Sequence, residues 1–204
     1  FDYLIVLLFF LFPDKYFFNL DMEQNLPTIY QGLKLFLVGG LSIANLYIMH
    51  IANGLNKEKK LIYSLLSFGF IMLAIDEIGQ IHDNIHIQME NLIPKALITS
   101  QSIYSQGYDS SPWLLYYIPI FVIGLIFFGY MARAFWKERN KYLWMLFVGV
   151  ACFLGTLILE FISSKSQNLW STNYLTMITI EESCEMIGAS FFMLFMLKSI
   201  SPNH

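Results

Sequence analysis

The residues best able to do chemistry in this sequence are acidic and imidazole side chains set inside otherwise apolar stretches. Asp76, Glu77, His82, Asp83 and His86 fall in the string LAIDEIGQIHDNIH. Glu160 falls in LILEFIS, and Glu181, Glu182 and Glu185 fall in ITIEESCEMIGA. A base, Lys34, has the same kind of setting in YQGLKLFLVGG. Read as helices, these strings put several of the groups on shared faces. At about 100° per residue, Asp76, Gln80, Asp83 and Glu90 form one stripe, with His86 beside it and Glu77 on the other flank. Asp83 and His86 are three apart, the carboxylate-x-x-histidine spacing that lets one helix offer two ligands to an ion. His82 and His86 are four apart, which can also chelate. Glu181 and Glu185 share a face at i,i+4, and Glu182 and Glu185 pair at i,i+3.

Carboxylates crowded together in a low dielectric cannot all stay charged without a cation or a proton among them. The chemistry implied is therefore a metal site or a set of shared protons. Mixed oxygen and nitrogen donors suit zinc, iron or manganese better than copper(I). A divalent metal ion is thus the expected cofactor, with Asp76, Glu77, His82, Asp83, His86, Glu160, Glu181, Glu182 and Glu185 as its candidate ligands. An open coordination position would allow metal-assisted hydrolysis or oxidation of a lipid-like substrate. Plainer roles stand beside each of these. Lys34 can serve as the ion-pair partner of one of the acids, His82 and His86 can end a helix in solvent, and Glu160 can cap one. His50 reads as structural.

The elements that must position these groups follow from composition. The chain is 56% hydrophobic and 13% charged, with a mean hydropathy of +0.55. A soluble domain carries roughly a quarter of its residues charged. Here the charges are clumped, and the apolar runs between them are roughly twenty residues long, enough to cross a hydrocarbon core about 30 Å thick. Lipid offers the backbone no hydrogen-bond partner, so such runs must be helical. The expected fold is all-α, a polytopic transmembrane helix bundle of about six spans forming one domain over residues 1–204. Its helices are expected near 1–12, 28–54, 61–92, 112–135, 142–163 and 173–198. The opening FDYLIVLLFFLF is the tail of a span or the core of a signal segment. The lack of a small-residue cleavage site after it favours a truncated span. Pro13, Pro27, Asn53-Gly54, Pro94 and Pro112 supply the breaks, and Pro119 predicts a mild kink. Gly39, Gly40, Gly124, Gly129, Gly149, Gly155 and Gly188 are expected to allow close helix contact.

Charge placement sets the orientation. Lys57, Lys59, Lys60, Arg133, Lys137, Arg139, Lys141 and Lys198 fill alternate loops, whereas Lys15, Lys95 and Lys165 stand singly in the others. The basic loops and both termini are therefore expected in the cytoplasm. Trp113, Trp136, Trp144 and Trp170 fall near helix ends, as an aromatic belt requires. With that orientation, Glu77 lies roughly 24 Å along the third helix from Leu61, and Glu160 roughly 27 Å from Tyr142. Glu181 and Glu185 lie about 12 and 18 Å below the outer surface, and Lys34 about 9 Å below it. Four helices thus bring ionisable groups to the outer half, where such groups face the bundle interior or a water-filled cavity. A net charge of −3 gives no reason to expect a nucleic-acid partner. The two cysteines, Cys152 and Cys184, read as small packing residues.

The pairing of LAIDEIGQIHD with the later IEESCEMIGA resembles a family of uncharacterised bacterial multi-spanning membrane proteins. In these, an acidic pair followed by His-acid in one helix accompanies a Glu-Glu-x-x-Glu run in another. The resemblance covers two of the six helices. It implies that Asp76, Glu77, His82, Asp83, Glu181, Glu182 and Glu185 belong to one site, and it points to a bacterial inner (plasma) membrane. It implies no activity. Three functions follow, in order: a metal site in the outer half of the membrane; a small accessory subunit whose acids pair with Lys34 or with a neighbour; and proton or cation movement. The last ranks lowest because no polar path leads from the acids to the cytoplasm. The expected partners are the lipid bilayer and other membrane subunits.

Overall fold

The computed structural model describes residues 2–11, 25–52, 56–81, 113–163 and 172–200. Six helices are described: α1 (Asp2–Leu11), α2 (Leu26–Ile51), α3 (Lys57–Gly79), α4 (Trp113–Lys137), α5 (Leu143–Ser163) and α6 (Thr172–Ile200). The starts are set by asparagine side chains that satisfy otherwise orphaned backbone donors. Asn25 accepts from the Thr28 N–H at 3.3 Å, with Pro27 in the first turn of α2. Asn56 accepts from the Lys59 N–H at 2.8 Å. Asn140 accepts from the Tyr142 N–H at 2.9 Å, after Arg139 has turned the chain with a φ of 54°.

One expected boundary is wrong. The third helix does not run on to residue 92 but ends at Gly79. Gln80 follows in the left-handed region, φ 51°, and its N–H closes the last turn on the Asp76 carbonyl. Glycine is a poor helix former, and a left-handed residue after it terminates the helix. The expected stripe from Asp76 and Gln80 on to Asp83 and Glu90 runs past this cap and out of the described residues. His82, Asp83, His86, Glu90 and Trp170 lie outside the described residues.

Four helices are long and apolar enough to cross a membrane: Leu26–Ile51, Lys57–Gly79, Ile118–Lys137 and Leu143–Ile162. Helix α1 has only 10 residues. Helix α6 has 29 residues but carries Glu181, Glu182 and Glu185. It packs against three helices, α1, α2 and α5. Helix α3 packs on α2, α4 packs on α5, and α1 rests on α6 through Ile5 and Phe9, which meet Ile178 and Met186. Helix α6 thus has Glu181 buried among neighbours and Glu182 and Glu185 half-buried, as the cost of charge in lipid demands.

The α5–α6 contact is close because it is made at glycines. A Cβ added to Gly149 would lie 2.9 Å from the Phe192 ring, and one added to Gly188 would lie 2.9 Å from the Phe153 ring. By contrast, Gly40, Gly124 and Gly129 meet nothing within 4 Å among the described residues, so no close contact is made there between described helices.

Toward the C-terminal ends of α2, α4 and α6, the core is aromatic. Phe135 of α4 meets Tyr63 of α3 and Phe195 of α6 edge-on, with ring centroids 6.1 and 5.1 Å apart. Phe70 meets Phe192 in the same way at 4.9 Å. An ion pair between Lys59 and Glu138, 2.8 Å, ties α3 to the residues after α4.

Candidate functional site

Away from that aromatic core, contacts between helices place the polar groups at one level of the bundle. Gly32 of α2 lies against Ile78 and Ala74 of α3. Lys34 reaches both Asp2 of α1 and the Met186 carbonyl of α6. Thr156 of α5 donates to the Glu181 carbonyl of α6 at 3.4 Å. The level therefore runs through α1 near Asp2, α2 at 30–34, α3 at 74–78, α5 at 155–160 and α6 at 181–190. This is the convergence of ionisable groups that depth counting anticipates. Within it the groups fall into two sets.

The first set is an ion pair. Lys34 lies 2.8 Å from Asp2, and it is 4% exposed. Asp2 also accepts from the Tyr30 hydroxyl at 2.6 Å and, on its second oxygen, from Ser190 at 2.8 Å. The Lys34 ammonium sits 5.0 Å from the centroid of the Tyr30 ring. A buried pair is tolerable only when further hydrogen bonds satisfy its remaining lone pairs and protons, and here they do. Lys34 is thus a structural ion-pair residue, as one reading allowed, but its partner is none of the nine candidate acids and histidines. Asp2 is an acid in the run FDYLIV, and its isolation there was the available signal.

The second set is a pair of carboxyls, Glu181 of α6 and Glu160 of α5, with two more acids nearby on α6. Glu181 is 7% exposed, and its Oε2 has no hydrogen-bond partner among the described residues. Its carboxyl is hydrogen-bonded with that of Glu160, and Glu182 and Glu185 stand close enough to act on its charge. Glu185 also acts on Lys34, which links the two sets. The i,i+4 placement of Glu181 and Glu185 brings both into this region, and Glu160 joins from α5. Asp76 and Glu77 are half-buried near the end of α3. Among the described residues, no three His, Cys, Asp or Glu side chains are grouped so as to hold a metal ion. Cys152 and Cys184 are free, half-buried thiols.

A further residue escaped the sequence reading. Gln31, 2% exposed, has neither its amide nitrogen nor its amide oxygen paired among the described residues. It begins a buried polar line on α2 that continues through Lys34, Ser42 and Asn45. Asn45 donates to the Met196 carbonyl at 3.1 Å, and Ser42 to the Val38 carbonyl at 3.0 Å. The signal was the recurrence of polar residues at helical spacing, which attention to charge alone passes over.

Four helices of spanning length, with polar and charged groups turned inward and apolar side chains outward, define a helical membrane protein. Within that class, the chain belongs to the family described as domain of unknown function DUF8692, which matches residues 13–199. No curated protein and no solved structure matches it.

Proposed function

We propose that this integral membrane protein holds a proton between Glu160 and Glu181 at the α5–α6 interface, as a proton-binding site in one half of the membrane. The observation that carries this reading is the contact between the two carboxyls, one of them buried. Two carboxyl groups can hydrogen-bond only through a proton, and like charges so placed cannot both ionise. The polar line on α2 bears on the objection that no polar path leaves the acids. It extends from Gln31 to Asn45, but buried Val38 interrupts it, so it supports exchange with one side better than transport through the bundle.

A divalent metal ion, zinc, iron or manganese, is the second reading. It needs His82, Asp83 or His86, which lie outside the described residues, to complete a ligand set. The basic end is assigned to the cytoplasm by the positive-inside rule, in keeping with a bacterial inner membrane. Helix α5, only 11% buried along its spanning window, leaves ample surface for lipid or for a neighbouring membrane subunit.

Infrared spectroscopy of the protein in liposomes tests the first reading. The expected result at neutral pH is a protonated-carboxyl band that shifts in D2O and is lost in both Glu181→Gln and Glu160→Gln. Absence of that band in the parent overturns it. Elemental analysis of the same samples decides the second reading: stoichiometric metal in the parent, lost in a Glu181→Ala/Glu185→Ala variant, replaces the proton with an ion.

A further inference from the structure

The end of the bundle away from the carboxyls carries Lys57, Lys59, Lys60, Arg133, Lys137, Arg139, Lys141 and Lys198, against only Glu58 and Glu138 among the described residues. Both acids are engaged. Glu138 pairs with Lys59 at 2.8 Å, and Glu58 is hydrogen-bonded to Tyr130. Lys141 and Lys198 are therefore left without a carboxylate partner among the described residues.

These two lysines are nevertheless drawn together from different elements. Lys141 lies in the turn between α4 and α5, with its ammonium 5.1 Å from the centroid of the Tyr142 ring. Lys198 lies in the last turn of α6, with its ammonium 5.9 Å from the same centroid. A tyrosine ring attracts a cation, so Tyr142 has two ammoniums from different elements within 6 Å of its centroid, a local excess of positive charge that an anion offsets. The surroundings indicate which anion is at hand. Trp144, 52% exposed, lies two residues after Tyr142 and packs edge-on against Phe191. Trp136, 71% exposed, lies at the end of α4. Exposed tryptophans at helix ends mark the level of the lipid headgroups.

We propose that Lys141 and Lys198, both beside the Tyr142 ring at the end of the bundle that carries exposed Trp136 and Trp144, bind the phosphate of an anionic phospholipid headgroup. Lysine meets phosphate as a compact point charge, and two of them from separate elements define a position and not merely a field. The proposal does not depend on the proton between Glu160 and Glu181.

The test is thermal unfolding of the full chain in mild detergent with added phosphatidylglycerol, phosphatidylcholine or inorganic phosphate. Phosphatidylglycerol is expected to raise the unfolding temperature above the value in phosphatidylcholine, and inorganic phosphate to leave it unchanged. Lys141→Gln/Lys198→Gln is expected to lose more than half of that difference, whereas Lys57→Gln/Lys60→Gln on α3 keeps it. Should the first double variant not fold, Lys198→Gln alone is expected to lose part of it. Equal temperatures in the two lipids, or a full difference retained in the folded Lys141/Lys198 variant, overturn the proposal. Equal loss in the Lys57/Lys60 variant means diffuse attraction without a site, and also overturns it. The same rise with inorganic phosphate assigns the site to a free anion and removes the lipid.

Discussion

The two halves of this bundle solve the same problem in opposite ways. At the basic end the helices meet through Tyr63, Phe70, Phe135, Phe192 and Phe195, and the charges are left on the rim. In the carboxyl half the charges lie between helices, where Lys34 is closed by Asp2, Tyr30, Ser190 and the Met186 carbonyl. Apolar packing needs only shape. Buried charge needs a complete set of partners, and an incomplete set marks a place where something else is required. The comparison shows where such a set is complete and where it is not. Lys34 and Asp2 satisfy each other, whereas Glu181 keeps one oxygen with no partner among the described residues.

The contrast breaks most readily at Lys34. Lys34→Met is expected to cost about 1–3 kcal/mol, because it leaves Asp2, which is partly buried, without its cation. Adding Asp2→Asn should recover part of the loss. The check is denaturant or thermal unfolding in detergent. A loss under about 1 kcal/mol would place this pair with exposed ones and erase the difference between the halves.

Gln31 sharpens the same contrast. Both its polar atoms are buried and without partners among the described residues, so Gln31→Leu removes an unsatisfied group and should be neutral or stabilising by about 1 kcal/mol. Destabilisation by the same amount would show that the amide holds a bound water or ligand. The smallest effect is expected at the basic end. Lys59→Gln breaks the pair with Glu138, whose side chains are 20% and 40% exposed, and should cost less than about 1 kcal/mol. A larger loss would mean that the rim, like the carboxyl half, depends on ion pairs.

Much of the fold was legible in the residues. Apolar runs of spanning length compel helices wherever lipid denies the backbone other partners. The described boundaries of five helices fall within three residues of those expected. The exception is α3. Its continuation past Gly79 looked helical by composition, but the end is set by the left-handed conformation of Gln80, a residue type that ordinarily gives no such signal. The depth of each ionisable group was also legible, since rise per residue turns sequence distance into height.

Height along a helix says nothing about which neighbour stands beside it. That Lys34 pairs with Asp2, that Glu160 meets Glu181, and that α6 takes the central position were decided by lateral packing. The sequence determined which segments are helices and at what level their charges lie, although of the six spans expected four described helices are long and apolar enough to cross. Each of those properties is local and follows from hydropathy, helical rise and the cost of an unpaired backbone group. Only the tertiary structure decided which charges were already satisfied, because a partner contributed from another helix leaves no mark on the spacing of the residues it completes.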